Sequence, residues 1–387
     1  MKTITLWAAV GMALFRLGGH GLAAEGADAS PEVLPTLRIG HVGHDHQLAL
    51  YVAALESESR KDAWGLHLRA LKPKEVYELV VKDRPIARLH FIQTEGGAGM
   101  PAAMSRGEFE VGLGSTIAVA KLADAGQPLK IISPLQTDGD QLVLRKGLPM
   151  GDWASFVSAA KAGAKPLRIG YKEPMAVAKM VFERSLKAEN ISYSHDYRPG
   201  VGIVLVNFGS EKSPLPLLEN GALDGFVMNQ PGTAIAVHKG LAKAITDLRD
   251  LPPKGKWINH PCCCVAATSK AIQTRGESIK ALLKLLLLST QLIHENQALA
   301  IDCAQRWTKN PPAVEAQSVP TVTYLAQPTE SWIAGMKTWL EMMEDVQFFK
   351  GKYHQISPDE FVQDLCDLDL CRAAIRELRG EGLLKTP

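Results

Sequence analysis

Leu223-Asp224-Gly225-Phe226-Val227-Met228, then the turn Asn229-Gln230-Pro231, then Thr233–Lys239 is the stretch that decides the fold class. A short apolar run reads as a strand, a polar turn closed by proline ends it, and the residues beyond carry helical spacing. The pattern recurs along the chain. Leu37-Arg38-Ile39-Gly40-His41 leads into a helix near residues 47–59, and residues 89–95 break at Gly96-Gly97 before a helix near 101–106. Val111-Gly112-Leu113-Gly114 turns at Ser115-Thr116 into a helix over 117–125. Leu167–Tyr171 turns at Lys172-Glu173-Pro174 into a helix over 175–188. Strands alternating with helices make right-handed βαβ units and mostly parallel sheets, so the expected class is α/β.

The two halves are not consecutive in the chain. Residues 140–145 read as a strand leaving the first unit, and residues 262–268 as one returning to it. Beyond them the chain is almost all helix, over 272–299, 329–345 and 358–379, and Ser357-Pro358-Asp359-Glu360 has the form of a capping box with proline at N1. The expected domains are a first lobe of residues 36–140 and 262–387 with its helical tail, and a second lobe of residues 141–261.

With 387 residues, the chain is long enough for two domains that each bury a core. The 43 Lys and Arg nearly balance the 41 Asp and Glu, without a basic run, so a nucleic-acid partner is not expected. Met1-Lys2-Thr3, an apolar core over residues 4–15 and small residues at 21–24 and 27–29 describe a signal peptide covering about residues 1–29. That core is too short to span a membrane. No cysteine stands near the cleavage zone, which argues against a lipid anchor and for a soluble protein of the periplasm. The later run Ala281–Leu288 is interrupted by Lys284 and reads as a buried helix.

In open α/β sheets, ligands bind at the carboxyl ends of the strands. That rule nominates His41, His44, Asp45, His46, Glu95, Gly96, Gly97, Ser115, Thr116 and Thr137 from the first lobe. From the second it nominates Tyr171, Lys172, Glu173, Asn229 and Gln230. Several of these turns open helices, whose free N–H groups suit an anion. No G-x-S-x-G, P-loop, dinucleotide fingerprint or H-E-x-x-H is present, so no catalytic residue is assigned and a binder is favoured over an enzyme.

Two clusters stand apart. His41-x-x-His44-x-His46 at a strand end is either a metal-ligand set or a cleft wall. In His260-Pro261-Cys262-Cys263-Cys264, strand alternation places Cys262 and Cys264 on one face and Cys263 on the other. These cysteines read as core packing, ligand contact or metal donors, Cys262 being the one assigned to the ligand. If the clusters converge, His41, His44, His46, Cys262 and Cys264 would suit Zn, Cu or Fe over Mg or Ca. Otherwise no cofactor is expected.

The opening strand 37–41, Ser105-Arg106-Gly107-Glu108-Phe109-Glu110-Val111-Gly112, Leu218–Phe226, Asn229-Gln230-Pro231 and His260-Pro261-Cys262-Cys263 together carry a family likeness. The chain resembles the periplasmic solute-binding proteins of ABC importers of the nitrate/sulfonate/taurine type, which are related to thiamine-pyrimidine precursor-binding and synthase proteins. The resemblance implies a two-lobed type II periplasmic-binding-protein fold, to which the helical run after residue 268 adds a C-terminal helical extension. It also implies a monomer that closes on a small polar or anionic solute and delivers it to an ABC permease in the inner membrane, or hands a signal to a membrane partner. In the related synthases a cysteine-rich stretch and a cleft histidine are tied to iron chemistry. Here Val265 and Ala266 follow where that motif continues with Phe and Cys. A metal-binding protein or an iron-dependent enzyme of that kind is the alternative.

Overall fold

The alternating runs fold as strands β1 (Thr36–His41), β2 (Leu66–Lys72), β3 (Val76–Val81), β4 (Arg84–Gln93), β5 (Val111–Ser115) and β6 (Leu129–Asp138). Gly139 carries the chain into β7 (Asp140–Arg145), β8 (Leu167–Tyr171), β9 (Tyr193–Ser194), β10 (Ile203–Asn207), β11 (Gly225–Asn229) and β12 (Ala242–Asp247). The chain returns through β13 (Pro261–Thr268) and β14 (Val322–Tyr324). This computed structural model describes residues 34–385 apart from Glu95, Ala164, Glu211 and Asp345. The export segment read over residues 1–29, and Glu95, lie outside the described residues.

The first set of strands and the two returning ones form an eight-stranded sheet, ordered β14-β6-β13-β5-β1-β4-β3-β2. The others form a six-stranded sheet, ordered β12-β7-β11-β8-β10-β9. Each is parallel at its centre, through β4–β1–β5 and β11–β8–β10–β9, and antiparallel elsewhere. The strand–helix pattern foretells those parallel centres. The antiparallel β2–β3–β4 ribbon escapes it, because its strands are joined by tight turns rather than helices. Its signature lies in cross-strand pairs: buried Leu68 faces buried Leu79, and Arg69 pairs with Glu78 across the ribbon.

Close packing fixes the centre. Leu37 and Ile39 of β1 are fully buried, and Gly40 between β4 and β5 lies on the Phe109 ring, where a Cβ would come within 2.3 Å. Gly139, with φ +79°, makes the outgoing crossing, and a side chain there would collide with His46.

The helical portion departs from the sequence reading at three breaks. The run read over 272–299 is kinked at Arg275, whose φ is −133° and ψ 19°, and ends at Glu295, where the Asn296 side chain accepts from the Leu299 amide and caps the next helix, Gln297–Thr308. The tail helix read over 358–379 divides into Pro358–Leu365, started by the reciprocal Ser357/Glu360 capping box, and Asp369–Gly380. At the break Cys366 bridges to Ile131 of β6 while Cys371 turns to Ser133 and the Ala326 carbonyl, so both stay free thiols.

The tail is docked by a buried carboxylate. Asp124, 4 % exposed at the end of helix Thr116–Asp124, accepts from the backbone amides of Lys350, Gly351 and Tyr353 at 2.9–3.0 Å. Trp332, Met336 and Trp339 of helix Glu330–Glu344 are buried, and Trp339 donates to the Pro261 carbonyl at 2.9 Å. Among the described residues, no helix is long and apolar enough to cross a membrane.

Candidate cleft between the two sheets

The carboxyl ends of the central strands of both sheets face a shared cavity of about 50 Å³. His44, His46, Gly97, Ser115, Cys262 and Cys263 line it from the eight-stranded side. Asp140, Lys172, Glu173 and Asn229, with the apolar Val177, Val227 and Met228, line it from the other.

Contacts across the cavity hold the sheets closed. Ser115, which caps helix Thr116–Asp124, also donates through Oγ to the Met175 carbonyl at 3.3 Å. Glu173 reaches over to accept from the backbone amides of Ala98 and Gly99, and burial raises its pKa. Gly96 makes room for this reach, since a Cβ there would fall 1.6 Å from Glu173 Oε1.

His46 organises the floor. Its Nε2 lies 3.0 Å from the Gly139 carbonyl and donates to it. Its Nδ1 faces the Gln136 amide, Cys262 Sγ at 3.5 Å and Cys263 Sγ at 4.0 Å. The Cys262 thiol and the His46 ring bring Cys263 down to about 6 against the penalty of burial, whereas burial pushes Cys262 well up. His46 is raised: burial opposes its charge, but Cys263, Asp140 and the Gly139 carbonyl outweigh that. Both shifts run toward the charged form of the group, each favoured by the other across the cavity floor. His44 goes the other way, kept neutral by burial and by the charges of His46 and Lys172.

Behind the floor, His260 joins the two crossings. It is 2 % exposed, with Nδ1 3.4 Å from Asp138 and Nε2 3.4 Å from Asp140. Burial alone would lower its pKa, but the two carboxylates lift it to about 9.

The structure separates the nominated residues. His44, His46, Gly97, Ser115, Lys172, Glu173, Asn229 and Cys262 line the cavity. Asp45 does not, being fully buried and bonded to Ser318 of the tail region. Thr116 and Thr137 are buried behind the strand ends, and Gln230 accepts from the Ala234 amide in the first turn of helix Gly232–His238 and donates to the Gln141 side chain. Tyr171 turns toward His195 and Lys179. His41 packs edge-on against Tyr51, Phe91 and Trp307, away from His44 and His46. Strict alternation fails in β13, which is bulged against β6 between Pro261 and Cys264. The bulge turns Cys263 toward His46 beside Cys262, while Cys264 packs near Thr116. Of the expected metal donors, only His46 and Cys262 converge, and Cys263 takes the place read for Cys264: these three bring donor atoms within 4.8 Å of one another.

Residues 85–307 match the NMT1-like family. The chain belongs to that family. It is also 35% identical over 114 residues to an uncharacterized protein of Methanocaldococcus jannaschii, a match spanning 29% of this chain and 79% of that one. This NMT1-like chain has the periplasmic-binding-protein fold in its two-lobed α/β form. It is similar to the ligand-binding component of an ABC-type import system from Staphylococcus aureus with zinc bound, at TM-score 0.67 and 13% identity, covering 88% of this chain and 99% of the other. It is similar as well to the nitrate-binding protein NrtA of Synechocystis PCC 6803, at TM-score 0.65 and 14% identity, covering 92% of each. The alkanesulfonate-binding protein SsuA of Xanthomonas axonopodis pv. citri bound to MOPS follows at 0.60 and 13%, covering 84% and 98%. All three solved proteins are ligand-binding proteins.

Proposed function

We propose that this NMT1-like protein is an extracytoplasmic, periplasmic solute-binding protein. It would act as a monomer that closes its two sheets on a small polar or anionic solute and delivers it to an ABC permease. The observation carrying this reading is the cavity itself, which is closed by residues of both sheets at their strand ends and furnished with Lys172 and His44. Hinge closure needs only two crossings, and Gly139 and Asn259-His260 supply them. Thermal unfolding with nitrate, taurine and short alkanesulfonates tests it. A true solute at about 100 times its Kd adds about 2.7 kcal/mol to stability. No shift with any small anion would overturn the anionic reading.

A second reading is favoured by the convergence of His46, Cys262 and Cys263: the solute, or a resident ion, is a thiophilic metal. Mixed nitrogen and sulfur donors suit Zn, Cu or Fe. The Nε2–H of His46 is committed to the Gly139 carbonyl, the kind of outer bond that orients a metal-binding imidazole. Elemental analysis of protein purified without tag or chelator is expected to find about one such ion per chain. His46→Ala or Cys263→Ser should weaken Zn²⁺ binding by at least the ~10–100-fold that loss of an outer-shell partner produces. Metal-free protein that also fails to take up Zn²⁺ in titration would end this reading.

A further inference from the structure

A second cavity, of about 340 Å³, is lined entirely by residues of the eight-stranded half and the helix that ends at Thr308. Phe91, Trp307 and His41 show it only ring edges, each 2–5 % exposed, beside the polar Lys74, Gln93 and Thr308. His41 meets Phe91 at 6.1 Å and Trp307 at 5.8 Å, both edge-on, and Trp307 is stacked on Tyr51 at 4.3 Å with 8° between planes. Rings braced in this way make a slot whose shape survives without a ligand.

The polar groups at this slot are incompletely partnered. His41 is 2 % exposed and its Nδ1 has no hydrogen-bond partner, an unusual state for a buried ring nitrogen. Burial holds that ring neutral, its pKa near 4. Lys74 donates to the Trp307 carbonyl at 2.6 Å and lies 5.2 Å from the Trp307 ring. Burial and the neighbouring Lys309 both work against its charge. Neither lysine has an ion-pair partner among the described residues, and Glu75, the carboxylate at the rim, is engaged by Lys72 at 2.6 Å. Positive charge is thus in surplus beside an aromatic slot.

We propose that this cavity is a binding site, separate from the cleft between the sheets, for a small aromatic carboxylate. Lys74, reinforced by Lys309, takes the carboxylate as a charge-assisted hydrogen bond, and the ring meets the exposed edges of Phe91 and Trp307. Because His41 closes β1 just before the turn that carries His44 and His46, such a ligand would rest directly behind the cleft floor.

Calorimetric titration of the full chain with sodium benzoate tests this, with sodium acetate as the probe lacking a ring. Lys74 and Lys309 have φ +68° and +66°, a conformation that asparagine accepts, so Lys74→Asn and Lys309→Asn remove charge without straining the backbone. Benzoate is expected to saturate one site and acetate to bind about tenfold or more weakly. Lys74→Asn should weaken benzoate about tenfold or more and Lys309→Asn several-fold, while His44→Ala in the cleft leaves it unchanged. Lys309 is exposed, so its variant carries the test even if Lys74→Asn loosens the Trp307 contact. The proposal is overturned by absence of saturable benzoate binding, by equal binding of acetate, or by binding lost in His44→Ala and kept in both asparagine variants.

Discussion

Replacing His260 with asparagine is expected to lower the stability of the protein by about 3–5 kcal/mol, the loss typical when one partner of a buried ion pair is removed. His260 is enclosed between Asp138 and Asp140, themselves 1 % and 2 % exposed, and it also bonds to the Trp257 carbonyl at 2.7 Å. Asp138 would retain the Asn259 amide and Thr323, but Asp140 would face the cleft floor with its main counter-charge gone. The same contact predicts a pH dependence. A folded pKa of about 9 lies above the ordinary 6.5, so the folded state holds the proton more tightly than the unfolded one. The stabilisation is complete below about pH 6.5 and drains away as the pH rises through about 9. Urea unfolding at pH 7 and pH 9.5 should show that decline in the parent protein and a flatter one in His260→Asn. Equal slopes would show that the imidazole is not charged in the folded protein.

Gly96→Ala is expected to unlatch the cleft while leaving each sheet folded. The added methyl would overlap Glu173 Oε1, so the carboxylate must leave the amides of Ala98 and Gly99. A hydrogen bond to a charged group is worth about 1.5–3 kcal/mol, so the closed arrangement should lose one to two orders of magnitude in population. Amide exchange at Ala98 and Gly99 should quicken, and X-ray scattering should report a larger radius of gyration. Glu173→Ala should open the cleft by the same route, and adding Gly96→Ala to it should do little more, since both changes remove one contact. Additive effects would mean that Gly96 and Glu173 act separately.

Much of the fold was legible because it is written in local terms. Apolar runs such as 37–41 and 167–171 end at polar turns, and those turns stand at strand ends around the cavity. Glycines at 40 and 139 mark close approach and reversal, yet their partners, Phe109 and His46, are distant in sequence. What was hidden depends on register and on long-range pairing. Period-two counting put Cys264 with Cys262, and only the pairing of β13 with β6 reveals the bulge that brings Cys263 round instead. Asp140 went unnominated because it begins a strand, whereas the ligand rule looks at strand ends. His41 ends a strand as the rule demands, but the aromatic company of Phe91 and Trp307, from two other elements, draws it aside.

The bulge in β13 has a bearing on how errors are tolerated. In most strands a slip of one position exchanges the buried face for the exposed one and ruins the fold. Here three neighbouring positions, 262, 263 and 264, present the same atom, and all three are buried. A strand set one step along β6 would still offer sulfur to His46, so the repeated cysteine makes the character of the cavity floor indifferent to a one-residue misalignment there.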